Sequence, residues 1–195
     1  QLVTEKIGID QKLNNQVPLN LKFTDEYGKE VMLNDYFRKR PVLLVPIFFD
    51  CKGTCTLVFD GLMKALIGLK KPTIGREFEV VTVSIHPKEG PEDAMERKKI
   101  CMEVYGREGA EKGWHFLTGS QESIDALTES IGFRYVYDEK RDQINHPAGI
   151  MVLTPDGRVS QYYYGVEYAS KMLDKSFKIA AKNDVGAVAE VKLFG

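Results

Sequence analysis

Two cysteines four residues apart are the strongest chemical signal in the sequence. Cys51 and Cys55 lie in the segment Phe48-Phe49-Asp50-Cys51-Lys52-Gly53-Thr54-Cys55. In the first turn of a helix, residues at this spacing share one face, with Cα atoms roughly 6 Å apart, a distance that a disulfide can bridge. Two sulfurs on one face can equally hold one metal ion. The pair therefore predicts a site that exists as a dithiol, a disulfide or a metal complex.

The elements that must position this pair are a buried strand and the helix after it. Pro41–Phe49 is a continuous apolar run, which indicates a central strand. Chemistry in α/β sheets gathers at the carboxyl ends of strands, and a helix N-terminus there favours thiolate over thiol. With Lys52 adding to that field, we expect both cysteines to be exposed and to have lowered pKa values. A structural disulfide or two buried thiols is less favoured, because Gly53 suits an exposed loop.

Composition indicates a soluble globular protein. Its 195 residues suffice for one core, and 27 basic against 28 acidic residues give a net charge of -1, with no electrostatic case for binding nucleic acid or a membrane surface. Apolar runs are shorter than the ~20 residues of a membrane-spanning helix. Because the chain begins with Gln rather than Met, we expect an upstream signal or anchor to be missing. We divide it into an arm or linker (1–17), a domain (18–182) and a tail (183–195).

Hydrophobic periodicity predicts the order of the elements. A strand–helix–strand unit implies parallel pairing with a right-handed crossover, whereas a late hairpin makes the sheet mixed. We predict an α/β, thioredoxin-like mixed sheet flanked by helices, with an extra N-terminal β-hairpin and an insertion around residues 107–140. The predicted elements are a hairpin (19–33), strands (41–49, 78–85, 114–117, 133–137), helices (after 55, 91–105, after 120, around 173–180) and a hairpin (148–153 with 158–164).

A histidine far along the chain is the best candidate for a third ligand. His146 precedes Pro147 and a predicted strand, and in a thioredoxin-like topology this loop lies beside the cysteines. Thiolates suit Cu(I), and an added imidazole helps to hold Cu(II). Structural zinc usually takes four protein ligands, so zinc is the less favoured metal. We therefore predict a copper site of Cys51, Cys55 and His146, with the two cysteines redox-active.

The remaining reactive side chains have simpler interpretations. His86 follows a buried strand at the same sheet edge as the cysteines, and we expect a solvated loop residue, with a ligand or proton carrier as the alternative. His115 is expected to be structural. Cys101 is expected to be a buried core thiol. The tyrosines at 162–164 indicate strand packing.

Three segments together resemble the Sco/SenC family of copper-binding proteins. They are 48–55, 78–85 (Phe-Glu-Val-Val-Thr-Val-Ser-Ile), and His146 followed by 149–157 (Gly-Ile-Met-Val-Leu-Thr-Pro-Asp-Gly), and the resemblance spans about residues 17–182. It implies a thioredoxin-like fold with Cys51, Cys55 and His146 in the ligand positions. The chain departs from the family pattern at Lys52-Gly53-Thr54 and Thr56, where proline is frequent, at His86, where many members have aspartate, and at Pro147.

The same resemblance implies a location, a role and partners. Family members are anchored domains outside the cytoplasm, here on the periplasmic side, and the membrane would be reached only through a missing N-terminal anchor. The implied role is maturation of the binuclear copper centre of cytochrome c oxidase, by copper delivery or thiol reduction. The implied partners are the copper-bearing oxidase subunit and an extracytoplasmic thiol reductant.

Three other functions remain as alternatives. An extracytoplasmic thiol–disulfide oxidoreductase that does not depend on copper would use the same two cysteines. A thiol peroxidase of this fold usually has threonine three residues before its reactive cysteine, a position that Phe48 occupies relative to Cys51. An interaction module is the least favoured function, because binding a partner would not require a cysteine pair at the edge of the sheet.

Overall fold

The strands follow the apolar and alternating segments of the sequence. The computed structural model describes residues 3–51 and 53–190. The strands in this part are β1 (Gly8–Ile9), β2 (Lys22–Thr24), β3 (Glu30–Met32), β4 (Val42–Ile47), β5 (Glu79–Ser84), β6 (Trp114–Leu117), β7 (Phe133–Arg134), β8 (Val136–Asp138), β9 (Gln143–Asn145), β10 (Gly149–Leu153) and β11 (Val159–Tyr164).

The helices begin and end at residues suited to those positions. The Asp93 carboxylate accepts a hydrogen bond from Gly90 N (2.9 Å), and Gly106 ends the same helix with φ of 66°. Another helix begins where Ser120 Oγ accepts from Ser123 N (3.2 Å). The helices are α1 (Thr54–Gly68), α2 (Pro91–Tyr105), α3 (Ala110–Gly113), α4 (Gln121–Ser130) and α5 (Ser170–Ala181), with 3₁₀ turns at Val3–Lys6 and Leu33–Tyr36.

Five strands form the central sheet, in the order β11-β10-β4-β5-β6. The β4–β5 and β5–β6 pairs are parallel, whereas β10 is antiparallel to both β4 and β11, so the predicted mixed sheet is confirmed. All six residues of β4 are buried because both faces of the sheet are covered. Side chains of α1, α2 and α5 pack on one face, and those of α4 and the β2–β3 hairpin pack on the other.

The segment predicted as one strand, residues 133–137, is divided in the structure. Strand β7 pairs with β1 (Phe133 opposite Ile9), whereas β8 pairs with β9 (Tyr137 opposite Ile144). The split follows from these partners, because the two halves hydrogen-bond to different segments. The β8–β9 hairpin, residues 136–145, leads directly into His146, and the sequence analysis missed it.

Both ends of the described chain run along the domain. Val17 is fully buried, and its N–H donates to the carbonyl of Gly157 (2.9 Å). Farther along, the N–H of Gly186 donates to the carbonyl of Ser160 (2.8 Å), and that of Ala189 to Gln11 Oε1 (2.9 Å). Among the helices of residues 3–51 and 53–190, none combines the length and apolar character needed to cross a membrane.

Candidate metal and redox centre

The two cysteines differ in exposure. Cys51 is half-buried in the loop between β4 and α1, and its Sγ accepts a hydrogen bond from Gly53 N (3.4 Å). Cys55 lies in the first turn of α1 and is 1% exposed. Both are free thiols in the structure. Lys52, predicted to strengthen the positive field, lies outside the described residues. Solvent therefore reaches Cys51 more readily than Cys55.

The expectation of two exposed thiols with lowered pKa values is wrong for Cys55. Burial raises the pKa of this thiol, and neighbouring Cys51 and Glu89 raise it further, while a backbone hydrogen bond from Phe48 opposes them. Burial destabilises the Cys55 thiolate by more than the positive end of the helix stabilises it, because the field of a helix end is modest. The sequence placed Cys55 correctly at the helix start, but it did not show how thoroughly the fold covers the sulfur.

His146 contacts Cys55, as the predicted topology requires. Its Nε2 lies 2.8 Å from Cys55 Sγ, and its Nδ1 lies 2.8 Å from the carbonyl oxygen of Pro147. A carbonyl only accepts, so Nδ1 carries the proton and the Cys55 thiol donates to Nε2. Burial lowers the pKa of His146, which favours this neutral form. Nε2, which faces the Cys55 sulfur, is therefore the unprotonated ring nitrogen and carries the lone pair that a metal ion could use.

The chemistry of the two thiols and the imidazole suits copper. No group of three or more His, Cys, Asp or Glu side chains within residues 3–51 and 53–190 is arranged to hold a metal ion. Cys55 and His146 are in contact, whereas Cys51 lies on the adjoining loop, so the three-residue ligand set stays a prediction. If a copper ion is bound, Cys55 would supply a soft sulfur donor and His146 an imidazole nitrogen donor from positions that are already in contact.

Glu89 holds the loop that leads into Cys51, and the sequence analysis did not single it out. Its two carboxylate oxygens accept hydrogen bonds from Phe49 N and Asp50 N, both at 2.7 Å. The hydroxyl of Ser84 donates to the same carboxylate (2.5 Å). On the other side of the loop, Arg97 Nη2 donates to the carbonyl of Phe49 (2.5 Å). The backbone before the first cysteine is thus fixed by charged side chains.

We expect Glu89→Gln to loosen this loop. An amide has one acceptor oxygen, so one backbone N–H of residues 49–50 loses its partner, at a cost of about 1–3 kcal/mol in the free energy of unfolding. Urea denaturation should show the loss, and amide hydrogen exchange should rise at Phe49 and Asp50. Glu96→Gln is the matched control, since Glu96 is exposed on α2. Equal stability of the two variants would contradict this role.

The prediction that His86 is a solvated loop residue is wrong. The residue is 8% exposed, and its Nε2 lies 2.8 Å from Asp142 Oδ1 on the β8–β9 hairpin. The ring of Phe48 separates it from the candidate ligand: ring centroids are 6.1 Å apart for Phe48 and His86, and 5.7 Å apart for Phe48 and His146. The burial arises because the hairpin folds over the carboxyl end of β5, which no local pattern indicates.

The other reactive side chains lie in the core of the domain or on its strands. Cys101 is 3% exposed in the core, as predicted, and burial raises the pKa of its thiol to about 12. His115 lies on β6, with its ring centroid 4.1 Å from that of Tyr36. The tyrosine run 162–164 belongs to β11. Neither Cys101 nor His115 contributes to the candidate site.

Comparison with known proteins identifies the class to which this fold and site belong. A family model described as SCO1/SenC matches residues 10–181 of the chain. Because this match covers most of the chain, the protein belongs to the SCO1/SenC family. A search of curated proteins found no significant match.

Solved structures confirm the thioredoxin-like Sco fold. A protein of Aquifex aeolicus VF5 with a suggested role in electron transfer is 29% identical, with a TM-score of 0.74 over 88% of this chain and 95% of the other. Copper-bound ScoI of Arabidopsis thaliana is 19% identical (TM-score 0.64, 81% and 94%). BsSco, a Sco-family cytochrome c oxidase assembly protein with a disulfide switch, is 22% identical (TM-score 0.68, 89% and 98%). The last two likenesses show the fold alone.

Proposed function

We propose that the protein binds copper through Cys51, Cys55 and His146 and serves in maturing the binuclear copper centre of cytochrome c oxidase. The observation that carries the proposal is the 2.8 Å contact between Cys55 Sγ and His146 Nε2, made across the fold at the end of β4. It places a soft sulfur and an imidazole lone pair side by side, next to a second thiol. Membership of a family with copper-bound relatives supports copper binding.

The unequal exposure of the two thiols suggests an order of events. Cys51 is the more exposed sulfur, so a copper donor or a partner's disulfide meets it first. Cys55 and His146 then close on the metal from the buried side, because they already lie in contact. Thiolates favour Cu(I), whereas the imidazole stabilises Cu(II), so the same set can hold both ions.

Copper binding requires both sulfurs to be reduced. A Cys51–Cys55 disulfide takes up two electrons and two protons when an external dithiol reduces it, and that dithiol becomes a disulfide in turn. The natural source is an extracytoplasmic thiol reductant. We place the protein on the periplasmic side of the membrane, held by an N-terminal anchor, because a cysteine pair that cycles through a disulfide suits an oxidising compartment. The copper-bearing oxidase subunit is the proposed acceptor.

A copper-independent thiol–disulfide oxidoreductase is the second candidate. The exposure difference favours it, because an attacking thiol needs access while a resolving thiol lies behind it. In this case Cys51 attacks a substrate disulfide, forms a mixed disulfide and releases the first substrate thiol. Cys55 then attacks Cys51, closing the intramolecular disulfide and freeing the second substrate thiol.

Competitive copper titration of the fully reduced protein tests the proposal. Cu(I) and Cu(II) are titrated separately, each against a chelator of known affinity, with zinc as the control metal. We expect tight one-to-one copper binding that disappears when Cys51 and Cys55 are oxidised to the disulfide. Weak binding, or equal affinity for zinc, combined with disulfide reduction by the metal-free protein, would favour the oxidoreductase instead.

A further inference from the structure

The candidate site is assembled from two segments that are distant in sequence. Cys51 and Cys55 come from the β4–α1 junction, whereas His146 follows the β8–β9 hairpin, 91 residues after Cys55. Within the described part of the chain, β8 and β9 pair only with each other, so the hairpin is not part of the central sheet. His146 lies between this hairpin and β10, which belongs to the central sheet, so side-chain contacts of the hairpin and the anchoring of β10 together position it.

His86 makes such a contact, and both of its ring nitrogens are engaged. Nε2 lies 2.8 Å from Asp142 Oδ1, and Nδ1 accepts a hydrogen bond from Lys88 N (3.1 Å). The neutral tautomer with its proton on Nε2 satisfies both partners. With neither nitrogen free, the ring is placed to orient its neighbours rather than to bind metal.

Asp142 receives this hydrogen bond at the turn of the hairpin. Its backbone is in the left-handed region, with φ of 50°. Tyr137 Oη donates to the same carboxylate oxygen at 2.9 Å, from within the hairpin. One donor thus comes from the domain body and one from the hairpin. Hydrogen bonds to an ionised acceptor are stronger than neutral ones, so the contact adds a polar attachment to the apolar one that Ile144 of β9 makes with the core.

The network continues from His86 to the cysteine loop. The N–H of His86 donates to Ser84 Oγ (3.1 Å), and Ser84 Oγ donates to Glu89. Glu89 in turn holds the backbone of residues 49–50, just before Cys51. Phe48 adds an apolar link, because its ring touches those of both His86 and His146 edge-on. The hairpin and the cysteine loop are therefore connected through one histidine.

We propose that His86 is a positioning residue that ties the β8–β9 hairpin to the cysteine loop through Asp142 and so presents His146 to Cys55. This inference depends on the proposed function only for its consequences on copper binding. The contact between His86 and Asp142 is proposed for the reduced, metal-free protein, so it can be tested whether or not the protein binds copper.

Hydrogen exchange of the reduced, copper-free protein tests this contact. Breaking a hydrogen bond to a charged group should speed amide exchange in residues 136–146 on the order of tenfold or more. We expect this in His86→Ala and in Asp142→Gly, where glycine accepts the positive φ without strain. Exchange in β4 and β5 should not change. Glu139→Gln, an exposed acid on the same hairpin, is the matched control.

The double variant and a conservative variant separate positioning from general damage. If one contact links the two residues, His86→Ala combined with Asp142→Gly should be no worse than the more affected single variant. His86→Gln retains an amide donor toward Asp142 and should restore much of the protection. If His86→Ala fails to fold, His86→Gln and Asp142→Gly still give the comparison. Unchanged hairpin exchange, or strictly additive effects, would overturn the proposal.

Copper titration of the same variants distinguishes this inference from the proposed function. Where wild type binds copper, His86→Ala should lower Cu(II) affinity roughly 10–100-fold, as expected for a residue that orients a ligand. His86→Gln should recover most of that loss, and Glu139→Gln should match wild type. If wild type binds no copper, the proposed function fails while the exchange data still decide the role of His86. Normal Cu(II) affinity alongside a loosened hairpin would overturn the link to His146.

Discussion

Replacing either Cys51 or Cys55 by serine is expected to abolish tight copper binding. Structural zinc sites with four ligands bind with about 10–16 kcal/mol, so one ligand accounts for about 3 kcal/mol, or roughly 100-fold in affinity. For Cu(I) the loss should be larger, because a hydroxyl is a hard donor and a poor substitute for thiolate. Competitive Cu(I) titration of the reduced variants measures it directly.

The third cysteine supplies the matched control for these variants. Cys101 is also buried, but it lies on α2, outside the site. Cys101→Ala should retain wild-type copper affinity. This result would show that the loss of a thiol weakens copper binding only when that thiol belongs to the site. Thermal unfolding of all three variants checks that the fold survives. Tight one-to-one copper binding in either Cys51→Ser or Cys55→Ser would refute the site.

Replacing His146 by alanine should weaken Cu(II) binding much more than Cu(I) binding. Two thiolates remain in the variant and satisfy Cu(I), whereas Cu(II) loses its only imidazole donor. We expect a fall in Cu(II) affinity of roughly 10–100-fold and a change of only a few-fold for Cu(I). Titration with each ion, together with the visible absorption of the Cu(II) complex, gives the comparison.

Added imidazole provides the control for this variant. The alanine side chain leaves space beside Cys55 where the ring of His146 lies in wild type. Free imidazole should therefore restore part of the Cu(II) affinity in His146→Ala, and it should not do so in Cys55→Ser. An equal loss for Cu(I) and Cu(II), without rescue by imidazole, would argue against the assigned role of His146.

Burial makes the two cysteines of the site chemically unequal. The sequence predicted two exposed thiols at a helix start, but the fold covers Cys55 with His146 and with the packing of α1, and leaves Cys51 more accessible. Burial raises the pKa of Cys55, so the thiol form is favoured in the metal-free protein, and metal binding or disulfide formation releases its proton. A helix N-terminus alone therefore does not predict the reactivity of a thiol.

Most elements of the fold were predictable because their signals are local. The apolar run of β4, the helical spacing on α1, and Gly90-Pro91 with Gly106 around α2 act within a few residues of one another. The division of residues 133–137 and the existence of β9 were not predictable in this way. Their strand partners lie in the arm and in a later segment, and short strands gain their stability from pairing rather than from their own residues.

The donor types, the strand–helix junction that carries Cys51 and Cys55, and the candidate His146 could all be inferred from the sequence. The contact of His146 with Cys55, the burial of His86 against Asp142 and the hydrogen bonds from the cysteine loop to Glu89 became evident only in the folded structure. These two groups of features depend on interactions of different range along the chain. Hydrophobic periodicity and capping act between near neighbours in the chain, whereas desolvation and side-chain hydrogen bonds depend on which distant segments the fold brings together.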